Sequence, residues 1–236
     1  AILLARGELQ FEGSPDSPIV LEPQERSWPG VLVLDAGAVS HWRNAEIRGT
    51  RAVSGPTIGI TGGVTFYRSP LALNEVRFLG SVAEDALNVI GASVDFTGVT
   101  FEDTVSDAFD GDFVTGRIEG ASFRGIGGDG VDLSGSDLTV RGSSFRDIVD
   151  KAFSAGEGTT LVVEGAYVLA VGVGIASKDN STATLTDVTI ENAAHVGLAA
   201  YQKKPEFGPG TIVAHRVRFV ETVTPTLVQS GSSIKV

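Results

Sequence analysis

LALNEVRF (71–78), VDFTGVTF (94–101), GRIEGASF (116–123), LTVRGSSF (138–145), LVVEGAYV (161–168), ATLTDVTI (183–190) and IVAHRVRF (212–219) are one motif written seven times. Each alternates apolar and polar positions, skips two residues to a small or apolar one, and closes on Phe78, Phe101, Phe123, Phe145, Val168, Ile190 or Phe219. The closing residues lie 23, 22, 22, 23, 22 and 29 positions apart. A fixed period of this size marks a solenoid, and alternation with period two makes the unit β rather than helical. A unit of about 22 residues, with two or three short strands joined by turns, has the size of one rung of a right-handed parallel β-helix. Rungs in such a coil stack roughly 4.8 Å apart, so equivalent residues form ladders along the axis. A leucine-rich horseshoe needs a Leu-x-x-Leu-x-Leu consensus, and a propeller needs units about twice as long.

From this block the rest of the chain follows outward. Residues 1–236 read as one all-β domain: less regular coils over 1–49, regular rungs over 50–220, and an irregular end over 221–236. Within the regular part, SGPTIGITGG (54–63) inserts a longer turn. The 29-residue last step places its excess in QKKPEFGPG (202–210), which leaves the coil as a loop. Thirty glycines suit many tight turns, and the absence of cysteine excludes disulfides and thiol-ligated metals. The chain starts at Ala1 and contains no Met, as a piece of a longer protein with further domains would. Its net charge of −11 disfavours nucleic acid, whose phosphates it repels, and no apolar run is long enough to span a bilayer.

The second strand of each rung carries the chemistry. Its inward column is Leu87, Phe109, Val131, Phe153, Ile175 and Leu198. Strict alternation then sends the small column Ala86, Ala108, Gly130, Ala152, Gly174, Gly197 outward, beside Asn88, Asp110, Asp132, Ser154 and beside Asp112, Ser134, Lys178, Tyr201. The expected result is a shallow polar trough for an extended ligand. Acidic residues concentrate in it: Asp107, Asp110 and Asp112 on one rung, Asp129 and Asp132 on the next, with Asp85 before them. Like charges one rung apart need a cation, a proton or a lysine to compensate them. Lys151 follows Asp129 in its column and can pair with it.

Three chemistries fit. Asp107, Asp110, Asp112, Asp129 and Asp132 supply the oxygens a hard cation such as Ca²⁺ takes. Asp110 and Asp132, about 5 Å apart, also suit a carboxylate pair that cleaves glycosidic bonds, with Lys178 as a further base. Alternatively the Asp residues close turns at rung corners, a reading that suits Asp85, Asp107 and Asp129 best. Asn88, Ser134, Lys151, Ser154, Glu157, Lys178, Asp179, Tyr201, Lys203 and Lys204 line the same edge as ligand-binding candidates, Lys178 for a uronate carboxylate among them. Ion pairing among Glu157, Lys178 and Asp179 is the plain structural alternative for those three. His41, His195 and His215 lie too far apart in the register for a histidine site.

The runs EDALN, SDAFDGDF, DLSGS, DKAFSAGE, GIASKDNS and AAYQKKPEFG resemble a set of bacterial secreted or surface β-helix proteins of the pectate-lyase-like superfamily. Some of these occur alongside spore-coat-protein-H-like kinase domains. The resemblance covers roughly residues 30–210 and implies a right-handed parallel β-helix in an extracellular or cell-surface, carbohydrate-related setting. The Asn-Thr-Asp, Asp-Asp and Gly-His-Gly motifs of polygalacturonases are absent. A pectate-lyase-like set of Ca²⁺-binding aspartates with a basic residue is matched in part by Asp110, Asp112, Asp132 and Lys178. The expectation is therefore a polysaccharide-binding β-helix with a divalent cation in its trough. The alternatives are a polysaccharide lyase or glycosidase in the same trough, and a structural or adhesive spacer.

Overall fold

Strands of successive rungs pair in parallel, residue on residue one period apart, in the computed structural model, which describes residues 1–55 and 59–236. Each rung contributes to three faces. The first is built by Gly62–Tyr67, Asp85–Ile90, Asp107–Asp112 and Val131–Ser134. The second holds Ser93–Thr97, Thr115–Glu119, Asp137–Arg141, Thr160–Glu164 and Thr182–Thr186. The third begins with Thr100–Thr104 and Ser122–Ile126. From Ser144 onward the third and first faces merge into the long strands Ser144–Gly156, Tyr167–Lys178 and Thr189–Tyr201. Part of the longer turn at 54–63 falls on residues outside those described; beside it Val53–Ser54 and Gly59–Ile60 form a small antiparallel pair. Past Phe219 the coil continues, with Thr226–Val228 laid beside Leu198–Ala200 and Ser233–Lys235 beside Thr211–Val213. Among the described residues no helix is long and apolar enough to cross a membrane.

The core is a set of ladders, because a 22-residue period puts each apolar residue on its own kind. Phe78, Phe101, Phe123 and Phe145 stack with ring centroids 4.8, 5.0 and 4.5 Å apart and planes 8°, 11° and 7° from parallel. Each such pair adds roughly 0.5–1.5 kcal/mol beyond the area it buries. At one corner buried hydroxyls replace apolar groups. There Ser136 Oγ accepts the Val114 N–H at 2.9 Å, Thr159 Oγ1 that of Ser136 at 3.1 Å, and Ser181 Oγ that of Thr159 at 3.1 Å. Backbone donors that the turn leaves free of the strand ladder are thereby satisfied inside the coil.

One expectation of the sequence fails here. The small column Ala86, Ala108, Gly130, Ala152, Gly174, Gly197 does not face outward but lies buried at the corner that enters the first face. Alternation breaks there, so Ala86 and Leu87 both turn into the core. Smallness has a packing cause: a Cβ on Gly130 would stand 3.0 Å from the Phe145 ring, and one on Gly197 only 2.6 Å from Phe219. The phenylalanine ladder occupies the space that side chains at this corner would need.

Candidate functional site

Because of that break, three columns leave the first face on its outer side. The first runs Asp85, Asp107, Asp129, Lys151, Val173, Val196; the second Thr65, Asn88, Asp110, Asp132, Ser154, Ala176, Ala199; the third Tyr67, Ile90, Asp112, Ser134, Gly156, Lys178, Tyr201. Asp85, Asp107, Asp110, Asp112, Asp129 and Asp132 thus share one patch over three rungs. Asp85, which the sequence suggests as a turn residue, is a buried member of this patch.

Partners are few for so much charge. Asp107 Oδ1 accepts the backbone N–H of Asp129 at 2.7 Å, and Asp129 Oδ1 that of Lys151 at 2.9 Å. Each carboxylate therefore ties its rung to the next instead of closing its own turn. Lys151 Nζ lies 3.1 Å from Asp129 Oδ1, the pairing its register suggests. Burial works to lower the Lys151 ammonium, but Asp129 and Asp150 outweigh it and hold the group above the ordinary lysine range. Asn88, itself buried, donates to Asp110 Oδ2 at 2.8 Å. Burial, then the charges of Asp85, Asp112, Asp132 and Asp107, push the Asp110 carboxyl up to about 8. Burial likewise pushes Asp85 to about 7, against a hydrogen bond from Thr61. Asp107 and Asp112 are raised too, chiefly by burial.

Beyond Lys151 the lysines do not sit where their register suggests. Lys178 reaches back over the coil, its Nζ donating to Ser154 Oγ at 2.7 Å and lying 3.8 Å from Asp132 Oδ1. It is only 7% exposed and covers the buried Ser154, so neither is open to a uronate. Glu157 pairs with Lys204 rather than with Lys178, and its carboxyl, which burial would raise, is lowered by that contact. Asp179 is buried, and its Oδ1 accepts the N–H groups of Lys203 and Lys204 at 2.6 and 2.7 Å. It anchors the 202–210 loop, from which Lys203 points to solvent. Tyr201 lines an apolar hollow of about 400 Å³ with Val173, His195, Val196, Ala199 and Leu227, beyond the acidic patch.

Of the five aspartates suggested as cation ligands, Asp107, Asp129 and Asp132 present carboxylate oxygens within 4.8 Å of one another. Asp110 and Asp112 stand in the patch but outside this trio. Asp132 Oδ1 is buried and accepts no hydrogen bond from the described residues. Three carboxylates converging in this way form a donor set that suits a hard cation.

The other two faces show that this crowding is not forced by the fold. On them the same period sets opposite charges on each other: Arg117 on Asp95 at 2.9 Å, Arg141 on Glu164 at 2.6 Å, Arg124 on Glu102. Exposed apolar side chains stand at both margins of the acidic face. Val82, Val105 and Val149, 52%, 64% and 71% exposed, follow the edge before the first column, and Phe113, 67% exposed, stands just past the third. No motif marks Phe113 in the sequence; the signal available was an aromatic residue breaking the polar end of SDAFDGDF.

A solenoid whose rungs pair in parallel on three faces belongs to the β-helices. Residues 85–233 match the family described as "Right handed beta helix region", and the chain is a member of that family. No curated protein matches it. Among solved structures, a double mutant of the periplasmic alginate epimerase AlgG is similar at 11% identity and a TM-score of 0.51, covering 100% of this chain and 71% of that one. A variant of the catalytic domain of a GH87 α-1,3-glucanase in complex with nigerose is 12% identical with a TM-score of 0.47; it covers 100% of this chain, which spans 62% of it. At these identities the likeness is one of fold.

Proposed function

We propose that the chain is a polysaccharide-binding β-helix that lays a glycan along the first face, with a divalent cation such as Ca²⁺ held by Asp107, Asp129 and Asp132. One observation carries this: six carboxylates crowd three rungs of a single face, while on the second face of the same coil opposite charges stack on each other. Selection for solubility alone would not leave buried like charges facing each other, since that costs free energy which a ligand can recover. The glycan is neutral, because Lys151 and Lys178 are both engaged by aspartates and neither is free to pair with a uronate. The carbohydrate-acting names of the similar structures agree with this class, and an extracellular or periplasmic setting follows from it. Ca²⁺ would join the trio and leave Asp110 and Asp112 to accept sugar hydroxyls.

A second reading is favoured by one detail. Asp110, pushed up to about 8, is protonated at neutral pH and lies one rung from Asp132, which faces the Lys178 ammonium. A carboxylic acid beside a carboxylate at rung spacing is the arrangement for glycoside cleavage with retention. Incubation with neutral and acidic polysaccharides, with and without chelator, separates the two. Retention on a neutral glycan that chelator weakens, without new reducing ends, supports binding; new reducing ends support the hydrolase. Neither result in any glycan leaves the face a structural spacer.

A further inference from the structure

Seven successive strands of the first face, from Val31–Leu34 to Tyr167–Lys178, end in a left-handed residue. Asp35, Arg68, Gly91, Phe113, Gly135, Glu157 and Asp179 have φ between 49° and 63°, stacked one per rung. Glycine and short polar residues meet this requirement readily, whereas a phenylalanine there is an outlier held at a cost. Phe113 does not recover that cost by burial, since it is 67% exposed. Nor does it bond to anything; its N–H donates to Ser134 O at 2.8 Å as any residue at this corner does.

The surroundings keep the ring open. Gly135 follows it on the next rung, and a Cβ there would stand 2.8 Å from ring carbons Cδ1 and Cε1, so the ring rests where only glycine leaves room. Gly91 precedes it with open space above its backbone, touched only by Arg68 Cγ at 3.7 Å. The next corners outward are already engaged, Arg68 with Asp35 at 3.3 Å and Glu157 with Lys204. A flat aromatic ring therefore stands alone between two bare rungs, beside the half-buried Asp112 and Ser134.

We infer that Phe113 is the stacking platform for one neutral hexopyranose unit of the bound glycan, oriented by hydroxyl hydrogen bonds to Asp112 and Ser134. This rests on the glycan-binding function proposed above and names the residue that selects the sugar. A pyranose with equatorial hydroxyls shows a C–H face of partial positive charge, which matches the negative face of the ring. Its hydroxyls point sideways, where a carboxylate and a serine wait. A uronate unit in the same place would bring its carboxylate against Asp112, Asp132 and Glu157.

The test uses affinity electrophoresis in laminarin, dextran, galactomannan and alginate, together with thermal unfolding. Phe113→Gly copies the corners at Gly91 and Gly135 and should unfold at or above the parent temperature, yet bind the retained neutral glycan at least tenfold more weakly. Phe113→Trp should keep the binding. Binding by Phe113→Gly within twofold of the parent overturns the proposal, as does a clear loss of stability in that variant, which would make the ring structural. Retention of the parent by alginate and by no neutral glycan overturns the choice of sugar, leaving glycan binding itself intact. A parent retained by none of the four overturns the glycan reading and this inference with it.

Discussion

The acidic first face and the charged second face are built on the same 22-residue step, yet they use it in opposite ways. On the second face Asp95 lies under Arg117 and Arg141 beside Glu164, so the stacking of rungs turns each charge into a partner for the next. On the first face Asp85 lies under Asp107 and Asp110 under Asp132, and the same stacking turns them into opponents. A solenoid amplifies whatever its sequence repeats: identical rings inside it reinforce each other, and identical charges outside it conflict. Where a coil that pairs its charges elsewhere tolerates conflict on three consecutive rungs, something other than folding has shaped that face.

The difference can be broken at graded cost. Phe123 stacks at 5.0 Å on Phe101 and 4.5 Å on Phe145, so Phe123→Ala removes a buried ring from the middle of the inner ladder. Chemical denaturation should show a loss of about 3–5 kcal/mol. Next comes the cation. Ca²⁺ at a hundredfold excess over its dissociation constant should stabilise the parent by about 2.7 kcal/mol. The Asp107→Asn and Asp132→Asn double variant should show no such gain; an equal rise in melting temperature in both proteins would end the assignment of the trio.

The conflict also sets a pH dependence. Asp110 has an ordinary value of 3.8 and is held at about 8 in the folded chain, and Asp85 is held at about 7. The folded state thus binds these protons more tightly than the unfolded one. Stability from them is complete below about pH 4 and is lost as the pH rises through about 7 to 8. In metal-free buffer the parent should melt higher at pH 5 than at pH 9. Asp110→Asn, which can still accept from Asn88, should gain about 1–2 kcal/mol at pH 9 and little at pH 5. A flat profile in the parent would remove the charge conflict from the first face. The smallest effect belongs to the second face: Arg117→Ala, losing an exposed pair with Asp95, should cost about 0.2–1 kcal/mol and less in high salt.

How much of this could be read from the chain depends on which residues obey the period. The inner ladder from Phe78 to Phe145 and the stacking of Asp110 over Asp132 follow from spacing alone, as does Lys151 opposite Asp129. The corner before Leu87 could not be read, because two consecutive inward residues, Ala86 and Leu87, violate the alternation on which the outward assignment of the small column rests. Lys178 escaped for another reason. Its long side chain lies back across the column to Ser154 and Asp132, against the rung direction that register alone describes. The exposure of Phe113 and the burial of Asp85 are set at strand ends by the neighbouring rungs, which the spacing of the chain does not describe.

Affinity electrophoresis in a neutral glucan, run on two charge-removing double variants, bears on the two faces at once. Asp112→Asn with Asp132→Asn on the first face should abolish retention, while Asp95→Asn with Arg117→Gln on the second should leave it at the parent value. Equal retention in both variants, or equal loss, would mean that the crowded carboxylates are not where the glycan binds.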